Sequence, residues 1–164
     1  MCIRDSRDIF YGIGIDFHSL EVGNGVIIGG ITVPCNLKSV AHSDGDVLTH
    51  AIIDAICGAL NLGDIGTQFP NDPEYKDISS IALLKKVLLL VPENISIVNI
   101  DATVVLDSPN ISTIKPKISS KLAGIFHIES RKVSIKAITR NGLSFMNMKN
   151  GWGAEVIITL KRWN

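Results

Sequence analysis

Residues 9–20, IFYGIGIDFHSL, read as a β-strand rich in aromatic and β-branched residues. From Ile13 onward the alternation puts Ile13, Ile15 and Phe17 on one face and Gly14, Asp16 and His18 on the other. One side of this strand is apolar, and the other carries an acid and an imidazole. The stretch 43–62, SDGDVLTHAIIDAICGALNL, has helical periodicity and ends before Gly63. Ser43 with Asp46 three residues on has the form of a capping box, which predicts Ser43 as N-cap. Asp46, His50 and Asp54 then fall at i, i+4 and i+8, one polar line along an otherwise apolar helix. Something polar must meet that line.

The rest of the chain alternates in the same manner. Gly23-Asn24-Gly25 signals a turn, VIIGGITVP (26–34) a strand, and TQFPNDPEYKD (67–77) a loop. Asp77 is a candidate cap for a helix over 78–91 that Pro92 stops. NISIVNIDATVVL (94–106) reads as a strand, Ser108-Pro109-Asn110 as a turn, and 112–125 as a helix with Ile111, Ile114, Ile118, Leu122 and Ile125 on one stripe. KVSIKAIT (132–139) and GAEVIITL (153–160) close the pattern as strands. The order predicts an α+β fold, a mixed β-sheet with helices packed on one face, spanning 9–164 as a single domain after an extension at 1–8.

Composition limits the function. The 164 residues carry 16 Lys and Arg against 16 Asp and Glu, so no net field favours nucleic acid or an anionic membrane. No run approaches the ~18 apolar residues of a membrane span, and the N-terminus lacks the apolar core of a secretory signal. Three cysteines without a CxxC spacing suit a reducing compartment, the cytoplasm or a plastid stroma. GIG at 12–14 does not continue as GxGxxG, and there is no P-loop or GxSxG elbow. Asp16 and His18 on one strand face, with His50 on a helix, form an O/N/N set that suits zinc with a fourth position open; scattered structural residues remain the alternative. His42-Ser43 sits where the free N–H groups of the predicted helix start would favour an anion.

Taken together, GIDFH (14–18), AHSDGDVLTH (41–50), LGDIG (62–66) followed by FPNDP, and VSIKAIT (133–139) resemble the 2-C-methyl-D-erythritol 2,4-cyclodiphosphate synthase family over about residues 11–162. The resemblance implies a homotrimer with sheets facing the threefold axis and active sites between neighbours. It implies an intramolecular phosphoryl transfer in the non-mevalonate isoprenoid pathway: the 2-phosphate of a cytidine-diphosphate derivative of methylerythritol attacks the β-phosphate and expels CMP. By the same resemblance Asp16, His18 and His50 are zinc ligands, and His42 and Thr139 are catalytic. Ser43 falls in the phosphate-side loop, Asp64, Ile65 and Gly66 hold the methylerythritol hydroxyls, and Asp72 is a further candidate there. Leu106, Pro109 and Ser112 mark the cytidine turn, with Ile138, Thr139 and Phe145 opposite. The chain departs from the family in places: the turn LDSPNIS (106–112) keeps little beyond Pro109, the FPNDP loop is one residue shorter, and residues 144–151 read SFMNMKNG where the family has a Gly- and charge-rich run. Asn141 replaces the glutamate that holds a second divalent ion, Mg2+ or Mn2+, at the diphosphate, and Met148 replaces an arginine. A zinc-binding trimeric homologue with weak or no cyclase activity, binding nucleotide or a pathway partner, is the alternative.

Overall fold

A computed structural model describes residues 8–70, 75, 77–141 and 150–163. Strand β1 (Ile9–Val22) is central to the architecture. It pairs antiparallel with β4 (Leu37–Val40) on one side and with β7 (Gly151–Arg162) on the other; β7 pairs antiparallel with β5 (Ile95–Val105), and β5 parallel with β6 (Val133–Ile138). The mixed five-stranded sheet therefore runs β4-β1-β7-β5-β6. A separate hairpin, β2 (Val26–Ile28) and β3 (Ile31–Val33), splits the predicted 26–34 strand, because Gly29 and Gly30 both take positive φ and reverse the chain. Strand β4 has no clear sequence signal.

Helix α1 (Val47–Ala59) lies against β1 and β7, and every residue from Val47 to Ile53 is buried. The reason is the glycine face of β1. A Cβ at Gly12 would stand 1.8 Å from the Ala55 carbonyl oxygen, and one at Gly14 would stand 1.8 Å from that of Ala51. Only hydrogen at both strand positions, with alanines on the helix, lets backbone rest on backbone. Helix α3 (Ser80–Leu88) packs on α1. Helix α4 (Lys115–Phe126) connects the parallel pair β5 and β6 and buries Ile118 and Leu122, as its stripe predicts, while Ile114 and Ile125 are half-buried and Phe126, off the predicted stripe, is buried as well. The opposite sheet face carries Ile9, Tyr11, Ile13, Ile15 and Ile157 with 44–68% of their surface open. The helices thus occupy one face, as expected.

Two predicted caps are corrected. The N-cap of α1 is Asp46, not Ser43, because Gly45 at φ +72° delays the helix until the Asp46 carboxylate can accept from the Thr49 N–H at 3.1 Å. Asp77, at φ +57°, gives way to Ser79 as N-cap of α3, which starts two residues later than predicted. Asp46 is fully buried and accepts from Gly29 N–H (3.0 Å), Gly30 N–H (2.6 Å) and Thr49 Oγ1–H (2.7 Å) as well. Burial pushes its carboxyl up, against the four donors that pull it down. These bonds tie the helix start to the hairpin turn. Replacing Asp46 by Ala would strand those donors in the core, so Asp46→Ala should cost about 3 kcal/mol or more in urea unfolding, and a loss under about 1 kcal/mol would contradict this account.

Candidate functional site

The polar side of β1 and the polar line of α1 meet beside the glycine contact. His50 Nδ1 and His18 Nε2 both lie 3.0 Å from Asp16 Oδ2, and the three ligand-type atoms fall within 4.8 Å of one another. His50 is 8% exposed, while Asp16 and His18 are half-buried. Burial pushes the Asp16 carboxyl up, but hydrogen bonds and charges from His18 and His50 outweigh it and hold the group at about 2. Burial opposes charge on His18, and the Asp16 hydrogen bond and charge, with the Val40 carbonyl, raise its pKa nonetheless.

The donor set fits a divalent cation for a reason internal to the structure. His18 Nδ1 lies 3.0 Å from the Val40 carbonyl, which can only accept, so Nδ1 carries the proton. A neutral His18 then turns the Nε2 lone pair toward a carboxylate oxygen 3.0 Å away. Two facing lone pairs at that distance require a positive charge, either a second ring proton or a metal ion. Two imidazole nitrogens and one carboxylate oxygen are ligands of the borderline kind that late first-row metals take.

Around this cluster, His42, Ser43, Ile65 and Gly66 line a cavity of about 230 Å3, with Phe69, Pro70, Tyr75, Ile78 and Leu83 supplying its apolar wall. The third member of the polar line also has a partner: Asp54 accepts from the Ile65 N–H at 2.7 Å and so fixes the start of helix α2 (Ile65–Gln68). Burial raises the Asp54 pKa, and the charges of Asp64 and Asp16 add to the rise. The Asp64 side chain caps α2, accepting from Thr67 N–H and Oγ1–H at 2.7 Å each, and these bonds lower its pKa. Asp46 occupies the start of α1, and His42 and Ser43 lie in the turn before it.

A YgbB family model matches residues 9–161. The chain belongs to the YgbB family. Its relative from Caldicellulosiruptor bescii, a 2-C-methyl-D-erythritol 2,4-cyclodiphosphate synthase, is 46% identical over 151 residues, 91% of this chain and 96% of that protein. The IspF of Plasmodium falciparum, solved in a CDP complex, superposes with a TM-score of 0.82 at 31% identity, over 95% of this chain and 97% of its own. The bifunctional IspDF of Campylobacter jejuni superposes with a TM-score of 0.89 at 32% identity; this chain covers 44% of it, and it covers 97% of this chain.

Within this YgbB chain the remaining predicted site residues form a second group. Leu106 N–H donates to the Ile138 carbonyl at 3.0 Å, joining the 106–112 turn to the end of β6. Ser112 N–H is held by Asn110 Oδ1 (2.8 Å), and Thr139 Oγ1–H donates to Asn141 Oδ1 (2.7 Å). Leu106 is 6% exposed, so its side chain belongs to the core and only its backbone is available to a ligand. Leu106, Pro109, Ser112, Ile138, Thr139 and Asn141 do not line the cavity around His50. Asp72, Phe145 and Met148 lie outside the described residues. Sequence reasoning missed Asp44 and Ser80, whose bonds to each other and to His50 span 30 residues or more. It also missed Arg140, which grips Asp107 through Nε (2.9 Å), Nη2 (2.6 Å) and its own N–H (2.7 Å).

A cation that binds the folded chain alone stabilises it by mass action. Zinc at a hundredfold excess over its dissociation constant should add about 2.7 kcal/mol to the stability of metal-free protein. Calorimetric melting checks this, and the rise should vanish in His50→Ala. An equal rise in that variant would put the cation elsewhere.

Proposed function

We propose that the chain converts 4-diphosphocytidyl-2-C-methyl-D-erythritol 2-phosphate to 2-C-methyl-D-erythritol 2,4-cyclodiphosphate and CMP, as a phosphorus–oxygen lyase of the non-mevalonate isoprenoid pathway. The observation that carries the reading is the convergence of Asp16, His18 and His50 beside His42, Ser43 and Gly66 in a chain of this family. An oxygen of the substrate 2-phosphate attacks the β-phosphorus, a P–O–P bond forms, and the bond from that phosphorus to the α–β bridging oxygen breaks. Its electron pair leaves with CMP, and no water enters the product. Little covalent work falls to the protein, so position and charge dominate.

Asp16, His18 and His50 would hold zinc, whose contribution when bound is charge stabilisation at phosphoryl oxygens. His42 and Ser43 border the cavity from the turn before α1 and face the phosphates. Ile65 and Gly66, steadied from behind by Asp54, border it where the methylerythritol hydroxyls would lie. The 106–112 turn and residues 138–141 bind the cytidine diphosphate of a neighbouring subunit's site, Thr139 with its hydroxyl and Pro109 and Leu106 through shape and backbone. The separation of the two groups on one chain favours a homotrimer, in which a second copy brings the missing half to each cavity. The uncovered Tyr11, Ile13, Ile15 and Ile157 face supplies apolar surface for that contact. The alternative of a cyclase-deficient homologue is not favoured, since the likeness to synthases extends along nearly the whole chain.

Phosphorus NMR of the purified protein with the cytidyl substrate tests the function. Cyclic diphosphate with stoichiometric CMP is expected; inorganic phosphate would indicate hydrolysis instead, and no turnover would favour the deficient homologue. Shared sites add a second outcome in the same assay. Mixed trimers refolded from His50→Ala and Thr139→Ala subunits should recover turnover that neither variant has, and failure to recover would argue for sites within one subunit.

Magnesium or manganese would accompany the diphosphate, with limited help from Asn141, a neutral amide whose oxygen already accepts from Thr139. Asn141 stands at φ +50°, a conformation that Asn and Asp tolerate better than Glu. Asn141→Asp keeps that backbone and adds a charge. Its turnover should half-saturate at lower magnesium than wild type, and an unchanged titration would mean that position 141 does not reach the ion.

A further inference from the structure

We propose that Ser80, held by Asp44, is a positioning residue that fixes the ring of His50 in the one tautomer able to ligate a metal through Nδ1. The inference rests on the metal reading of the same cluster. Ser80 opens α3 and is fully buried. Its backbone N–H donates to Asp44 Oδ2 at 2.9 Å, and its hydroxyl donates to Asp44 Oδ1. A serine hydroxyl has one hydrogen. With that hydrogen given to Asp44, Ser80 Oγ can only accept from His50 Nε2, 2.8 Å away. The imidazole proton therefore sits on Nε2, and Ser43 Oγ, 3.1 Å from the same nitrogen, shares it. Nδ1 is left with its lone pair, aimed at the Asp16 and His18 donors.

The arrangement mirrors the one at His18, with the nitrogens exchanged. There a backbone carbonyl from β4 holds the outer proton on Nδ1 and leaves Nε2 for the metal. Here a side-chain pair does so, and side chains can be changed. Asp44 cannot turn away, because it also accepts the Asp46 N–H at 3.3 Å and its own N–H donates to the Ile78 carbonyl at 3.3 Å. Outer partners of this kind affect metal affinity 10- to 100-fold (on the order of one to two powers of ten).

Two variants and two measurements test it, all on the full chain with zinc as probe. Ser80→Ala removes the acceptor. Asp44→Asn offers Ser80 an amide donor, which frees the hydroxyl hydrogen to point at Nε2 and drives the ring proton to Nδ1. Competition with a chromogenic chelator should find zinc affinity lowered about 10- to 100-fold in both. Nitrogen-15 spectra of zinc-loaded wild type should show the His50 proton on Nε2. Melting of the metal-free variants separates positioning from collapse: affinity lost at a retained melting temperature supports the inference, and affinity lost only in step with global unfolding overturns it. Wild type that holds zinc while both variants match it within twofold overturns this inference alone. Wild type that holds no zinc overturns the metal reading and this inference with it.

Discussion

The contact between α1 and β1 governs the molecule. Two strand glycines and two helix alanines let the helix backbone approach to where any side chain at Gly12 or Gly14 would collide with a carbonyl oxygen. Interiors packed to crystal-like density transmit such a constraint over several residues. The same strand face continues from Gly12 and Gly14 to Asp16 and His18, and His50 adjoins Ala51 on the helix. The close seat that saves space in the core therefore also sets the separation of three polar groups within hydrogen-bond range. A larger residue at position 14 would collide with the Ala51 carbonyl and push the helix away from β1, and with it His50 from Asp16.

Polar groups inside this core are satisfied in a strict order. Asp46 takes four donors at the hairpin turn and helix start, Asp54 takes one at the start of α2, and Asp44 takes the first turn of α3. Each acid anchors a neighbouring backbone segment to α1 or to the turn before it. Asp16 differs: its Oδ2 meets two histidine nitrogens. A carboxylate facing two imidazole nitrogens needs positive charge among them, from a second ring proton or from a metal ion. Cys57, on α1 itself, feels the opposite side of this balance: burial, then the charges of Asp54 and Asp64, push its thiol up to about 11, so it stays protonated and inert.

Local signals carried much of the fold and of the cluster into the sequence. Strand alternation in β1 and the four-residue spacing in α1 put Asp16, His18 and His50 on facing surfaces, and the sheet's one-sided helix cover followed from element order. Backbone turns were harder to read. The Gly29-Gly30 reversal looked like strand because the flanking valines and isoleucines are β-branched, and the cap shifted from Ser43 to Asp46 because a positive φ at Gly45 is set by tertiary contact. Strand β4 carries no periodic signal at four residues; it is held by pairing with β1 and by the Ser39 hydroxyl, which accepts from Trp152 Nε1–H at 2.8 Å. Ser80 and Asp44 were invisible for a different reason. Their partnership links residues 36 apart, and nothing in the local text of either segment announces it.

The proposed split of the site between two regions of one chain bears on how the protein can vary. The Asp16, His18 and His50 cluster depends on the α1 and β1 contact, so substitutions there act through the core. The half proposed for the cytidine depends on the pairing of Leu106 with Ile138 and on the Arg140 grip of Asp107, at the ends of β5 and β6. Side chains in such a place can change while the backbone path persists, provided the turn is still tied to the strand end. Asp107 and Arg140 supply such a tie here: Nε and Nη2 of the guanidinium both donate to Asp107 Oδ2 while the Arg140 backbone N–H donates to Oδ1, so both carboxylate oxygens are held and the turn is fixed to the strand end. A turn proposed to read its ligand through backbone groups would need a fixed path more than particular side chains, and such a tie lets this segment's side chains change while it keeps its place in the fold.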